Sequence, residues 1–305
     1  MKSIVLNQGL ANVSLIFIYA AMALYTIAFV SFALHLARRV SDNKKIRDAA
    51  GPLEKFAMTM MIIAAVSHGI GVVLRGIAAS RVPWANMYEF SITGSFVIVS
   101  IFLAALFFVL DIRIIAVMVS GFALLVLGAA TTWFIVDVKS LMPALQSYWL
   151  VIHVTVAILA TSFFNIAAAI SAAYLLKTSN WIKKSTGKLA KTAKRVLALF
   201  AEEAKLEKLA YRFNIIGFIL WTFTLIAGAI WAERAWHRYW GWDTKEVWTF
   251  IIWTIYAGYL HANATRGWSG RRSAWLALIG FAAVIFNFTI VNLFFKGLHV
   301  YSGLK

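Results

Sequence analysis

Runs of about twenty apolar residues, separated by short polar or basic stretches, dominate the chain. That length is what an α-helix needs to cross the hydrocarbon core of a bilayer, and the runs fall at roughly 14–36, 57–79, 91–110, 114–136, 149–176, 213–231, 247–264 and 273–295. The pattern predicts an all-α, polytopic integral membrane protein of about eight transmembrane helices, forming a single membrane domain over residues 1–305. Two segments break it. Residues 177–212 are polar and basic, with Leu189, Val196, Leu197, Phe200, Leu206 and Leu209 recurring at roughly helical spacing. They predict an amphipathic helix lying on anionic membrane lipids. Residues 231–248, WAERAWHRYWGWDTKEVW, hold five of the thirteen Trp, interleaved with Glu233, Arg234, His237, Arg238, Asp243 and Glu246. This stretch is too polar to cross a bilayer and too aromatic for an ordinary loop.

Composition agrees: 62% hydrophobic and 13% charged residues, with a mean hydropathy of +0.80, exclude a water-soluble domain with a polar exterior. The first apolar run follows a mostly uncharged start and leads into basic residues, so it reads as a retained span rather than a cleaved signal. A net charge of +17 would suit a nucleic-acid partner, but its distribution argues otherwise. Six Lys and Arg lie between Arg38 and Lys55, Arg113 sits in a tight turn, ten lie between Lys177 and Arg212, and three between Arg266 and Arg272. These connections alternate, so twenty of twenty-nine basic residues share one side. The positive-inside rule makes that side cytoplasmic; both termini and the Trp-rich segment then face outward, and no nucleic acid is implied. Cysteine is absent, which excludes disulfides, iron–sulfur ligation and covalent haem attachment to a CxxCH of this chain's own.

The Trp-rich segment reads either as an interfacial belt or as a shelf for a flat apolar ligand. If it is helical, Trp236 and Trp240 stack on one face, with Trp242 and Asp243 where the helix would break. Asp243 followed three residues later by Glu246 is a helix-start signature. His68 and Arg75 lie within the second span, where an ionisable group is a functional candidate unless it pairs with neighbours; Arg75, near the outer end, could reach an anionic group. RVPWANMYEF reads as a structured interface loop. His153 falls one to two turns inside the outer end of the fifth span, His299 follows the last span at the outer surface, and His261 lies about 20 Å deeper than Trp248. A lone His on a span is more often a structural hydrogen-bonder. Two His at one depth beside an aromatic platform match a bis-imidazole haem site, with rings and Arg side chains handling the porphyrin and its propionates. His261 would serve a second, deeper site.

The run IWAERAWHRYWGWDTKEVW, with FIIWTIYAGYLHANATRGWSGRRSAWLALIGF, VNLFFKGLHVYSGLK, VPWANMYEF and PALQSYWLVIHV, closely resembles the CcsA (ResC) proteins of the System II cytochrome c synthases, in the haem-handling superfamily named for its tryptophan-rich WWD domain. The match covers most of the chain from about Leu74. The resemblance implies haem b presented at the outer face of a bacterial cytoplasmic membrane on the WWD segment, with Trp231, Trp236, Trp240, Trp242, Asp243 and Arg75 as the cofactor-binding set. It implies His153 and His299 as external axial ligands, and His261 as a transmembrane ligand paired with a His of the partner subunit, CcsB (ResB). The implied reaction joins the haem vinyl groups to the two thiols of a CxxCH in an apocytochrome c. Two departures stand out: His237 where Gly is typical after AW, and Thr244 where Pro is usual. A haem exporter or chaperone of the CcmC type, delivering haem to a separate ligase, is the alternative; a b-type electron-transfer cytochrome would place paired His on spanning helices.

Overall fold

The computed structural model describes residues 6–108, 112–141, 145–265, 267–295 and 297–298. Among them the chain is helical with no strands: α1 (Gln8–Arg39), α2 (Lys44–Asp48), α3 (Ala50–Ala78), α4 (Met87–Phe108), α5 (Ala116–Trp133), α6 (Tyr148–Lys177), α7 (Asn180–Lys184), α8 (Lys188–Ala198), α9 (Glu203–Trp236), α10 (Thr244–Thr265), α11 (Arg271–Phe286) and α12 (Asn292–Phe294). A π-helical turn over Asn287–Val291 joins the last two.

Seven helices among the described residues are long and apolar enough to cross a membrane: α1, α3 with α2 ahead of it, α4, α5, α6 with α7, α9, and α11 with its continuation. The eighth expected span is α10. Its Trp, Tyr, Thr, His and Asn residues lower its hydropathy, yet its 22 residues extend about 33 Å at 1.5 Å each. Packing fixes its course. Its start touches the π turn at the end of α11 through Lys245 and Asn287, and near its end the Asn263 amide oxygen accepts from Ser273 at the start of α11. α10 therefore traverses the same thickness as α11.

Close helix contact follows from small residues, as expected where lipid supplies no hydrophobic drive between helices. At Gly71 a Cβ would lie 2.8 Å from Ile18, and the Ser14 hydroxyl donates to the Gly71 carbonyl across the α1–α3 seam. The main core joins α1, α3, α4 and α5 to the C-terminal half of α6 and the start of α9; a smaller one, around Phe164, Trp221 and Tyr256, joins α6, α9, α10 and α11.

The basic connections gather at one end. Arg195 donates to the Val40 carbonyl and pairs with Asp42 at 2.6 Å, and through that hydrogen bond and its charge holds the Asp42 carboxyl below its ordinary range. Lys177 donates to the Phe200 and Ala201 carbonyls, and Arg271 to that of Thr178. At the opposite end Asn7 donates to Ala78 O and Gln8 to Asp137, beside the loop before α4. The polar segment 177–212 is not one helix. Gly187, at φ +101°, separates α7 from the amphipathic α8, while Leu206 and Leu209 already belong to α9 and are buried in the core.

Candidate functional site

The Trp-rich segment is two pieces, not a continuous helical shelf. α9 stops at Trp236 because His237 turns left-handed, at φ 55°, and donates its N–H back to Glu233 O at 2.7 Å. The expected stacking of Trp236 with Trp240 on one helix face is therefore absent. Trp236 instead meets Trp231 edge-on at 4.8 Å, and Trp240 meets Trp242 and Phe250 at 5.9 and 6.4 Å. His237 occupies the position just past a helix end where glycine is favoured, since a side chain there crowds the backbone. Trp242 is also left-handed, at φ 59°, and is 78% exposed. A bulky residue there is a backbone outlier.

Glu246 performs the reach-back expected of it, its Oε2 accepting from the N–H groups of Gly241 (2.7 Å) and Asp243 (3.1 Å). The Asp243 carboxylate accepts from Leu298 N–H at 3.2 Å, and a Cβ on Gly297 would collide with it. The Trp-rich loop is thus fastened to the segment immediately before His299, which itself lies outside the described residues.

Behind the loop is a cavity of about 270 Å³. Its walls come from Trp84, Asn86, Met87 and Phe90, from His153 on α6, from Trp221, Thr224, Gly228 and Trp231 on α9, and from Tyr239, Trp240, Lys245 and Glu246. They are mainly aromatic and aliphatic. His153 is held on two sides: Nδ1 lies 2.9 Å from Thr224 O, and the ring stacks on Trp231 at 6.0 Å and 15°. A carbonyl only accepts, so Nδ1 carries the hydrogen and, in the neutral imidazole, Nε2 carries the lone pair. That is the arrangement of a metal-ligating His whose second nitrogen is anchored. Gly228 permits it, because a Cβ there would sit 2.8 Å from the imidazole. Among the described residues no three His, Cys, Asp or Glu gather as a metal-ion cage.

Other expected residues fall elsewhere. Arg75 is buried, with Nε 3.2 Å from Glu89, a bond to Val136 O, and its guanidinium over the Tyr88 ring. It is not on the cavity wall. Glu89, fully buried, also accepts from both terminal nitrogens of Arg81 and from Ala85 N–H. This network fixes the loop that carries Trp84 and Met87 to the cavity. His261 is exposed near the far end of α10, apart from His153. His68 is buried between Tyr25 and Phe96, also away from the cavity. Trp242 and Asp243 are not on the cavity wall.

The sequence reading missed Lys245, whose Nζ donates to Asn287 O and Asn292 Oδ1 at 2.8 and 2.9 Å. The π turn is where the Asn287 carbonyl meets this ammonium; such turns recur at functional sites. A Lys directly before the capping Glu246 was the available signal.

The sequence model of the family described as "Cytochrome C assembly protein" matches residues 84–299, more than half of the chain and all of the cavity-forming segments. The chain belongs to this family. Within it, the chain is of the CcsA type. It is 34% identical over 257 residues to "Cytochrome c biogenesis protein CcsA" of Guillardia theta, covering 80% of this chain and 84% of that one. The CcsA proteins of Mesostigma viride and Gloeobacter violaceus are each 30% identical to it, covering 93% and 94% of this chain and 96% and 95% of their own. Among solved structures, "Cytochrome c Heme Lyase CcmF" superposes with a TM-score of 0.62 over 92% of this chain and 46% of its own, at 15% identity. At that identity the likeness is one of fold, and this chain spans about half of that one.

Proposed function

We propose that this chain is the haem-presenting subunit of a cytochrome c synthase. It holds haem b, its substrate, at the outer face of a bacterial cytoplasmic membrane and, with a CcsB-type membrane subunit, joins it to the CxxCH of an apocytochrome c. The observation that carries this reading is the His153 imidazole, fixed by Thr224 O and Trp231 on an aromatic cavity wall; its Nε2 would ligate the iron. His299 is the proposed second axial ligand, supported by the Leu298–Asp243 bond that ties its neighbour to the Trp-rich loop. Trp231, Trp240 and Trp84 would take the faces of the macrocycle, and the exposed Trp242 its rim. Arg75 acts through Glu89 on the loop, not on a propionate. His261, exposed near the far end of α10, fits a site completed by a His of the partner subunit.

Each thiol S–H would add across one vinyl C=C, the sulfur bonding one carbon and the hydrogen the other, so nothing is released and this step needs no oxidant. What the chain contributes is position, which in well-oriented reactions can lower a barrier by about 7–11 kcal/mol. A cavity of about 270 Å³ is near the lower limit for ligand pockets. It would cover part of a macrocycle and leave an edge open to the incoming peptide.

Co-expression with only the CcsB-type partner and an apocytochrome tests the reading. Covalent cytochrome, absent when the substrate cysteines are replaced by Ala, is expected. Haem released without covalent product would contradict it in favour of an exporter or chaperone.

A further inference from the structure

Among the described residues that line the cavity behind the Trp-rich loop, Lys245 is the one Lys or Arg. Its ammonium has three hydrogens to donate. Two go to neutral acceptors on residues of the same wall, Asn287 O at 2.8 Å and Asn292 Oδ1 at 2.9 Å, and among the described residues it forms no ion pair. The acidic groups near it are engaged elsewhere. Glu246 Oε2 accepts from the N–H groups of Gly241 and Asp243, with Arg238 3.9 Å from Oε1; Asp243, whose charge attracts Lys245 through space, accepts from Leu298 N–H. A cation walled in by aromatic and aliphatic side chains calls for an anionic partner, and among the described residues none meets the third hydrogen.

Asn287 is an independent signal. Its side chain lies on the cavity wall and is 4% exposed, yet its Oδ1 has no hydrogen-bond partner among the described residues. Buried polar atoms are seldom left so. Turning the amide exchanges its oxygen for NH2, so this position can donate as well as accept. The hydroxyls on the wall are already committed: Thr161, Thr224 and Thr249 each donate to a carbonyl of their own helix.

An ammonium hydrogen and an amide on bonded residues of one wall, in an otherwise apolar chamber, match a carboxylate carried on a flat apolar body; a charge-assisted hydrogen bond is the strong kind. Arg75, the cation that the sequence offered for this task, is paired with Glu89 and is not on the wall. We propose that Lys245, with the Asn287 amide, holds one propionate of the haem and so fixes how the macrocycle is turned within the cavity. This rests on the haem reading and adds to it the group that sets orientation.

The full chain, purified haem-free in detergent, is titrated with haem and with haem dimethyl ester, which has the same iron and ring but no carboxylate, and the Soret band gives both dissociation constants. The parent is expected to bind haem roughly tenfold or more tighter than the diester, the ratio a charge-assisted hydrogen bond supplies. Lys245→Met should weaken haem to the level of the diester and leave the diester unchanged. Asn287→Ala keeps the carbonyl that holds Lys245 and should cut the preference severalfold, so the assignment stands or falls even where Lys245→Met does not fold. Equal affinities in the parent, or a preference that survives both substitutions, would overturn the proposal and leave the haem reading standing. An equal loss for both porphyrins in Lys245→Met would make the residue a staple between α10 and the π turn and would also overturn it. Binding of neither porphyrin by the parent would instead sink the haem reading, and this inference with it.

Discussion

The imidazole of His153 and the backbone carbonyl of Thr224, 71 positions apart in the sequence, meet at 2.9 Å across the α6–α9 seam. Thr224 lies about three and a half turns before the Trp-rich loop begins at His237, so the bond sets both the tautomer of His153 and its height relative to that loop. The seam closes this far only because residue 228 has no side chain.

Gly228→Ala therefore places a methyl 2.8 Å from the imidazole, closer than real contacts allow. Haem recovered with the purified protein should fall severalfold, while the overpacking itself costs about 1–3 kcal/mol of stability. Absorption spectroscopy and a melting curve separate the two effects. Unchanged haem content with unchanged spectra would show that His153 does not need this geometry.

Glu89→Gln keeps the shape but removes the only carboxylate among the described residues that faces both Arg75 and Arg81. Breaking a buried pair from one side costs about 3–5 kcal/mol, so a large drop in melting temperature or in yield is expected, with loss of haem through displacement of Trp84 and Met87. Stability within about 0.5 kcal/mol of the parent would put this network among the ordinary surface pairs, whose loss costs no more than that.

His237→Gly should raise stability by about 1 kcal/mol, by relieving the left-handed backbone at the end of α9. Haem content and spectra should not change. A loss of haem would make His237 a ligand and displace His153 or His299 from that role.

These sites show what the sequence could and could not disclose. Apolar runs of bilayer length located the crossing helices, since that length is imposed by the membrane itself, and the spacing of Asp243 and Glu246 disclosed the start of α10. The end of α9 was hidden because its left-handed residue is a His; a Gly there would have marked it. Arg75 drew attention as a charge at membrane depth, and only the fold shows that Glu89, fourteen residues later and across a loop, neutralises it. Lys245 escaped notice because its partners, Asn287 and Asn292, are more than forty positions away. Depth along a helix can be counted from sequence, whereas the direction a side chain faces around it depends on which helix packs alongside.

The most direct test concerns the iron ligand. His153→Ala, purified with the CcsB-type partner, should lose most of its haem and of its cytochrome assembly, and millimolar imidazole in the growth medium should restore a low-spin spectrum by filling the vacated space beside Trp231. A His153→Ala protein that keeps parental haem content, low-spin ligation and cytochrome assembly without imidazole would contradict the account.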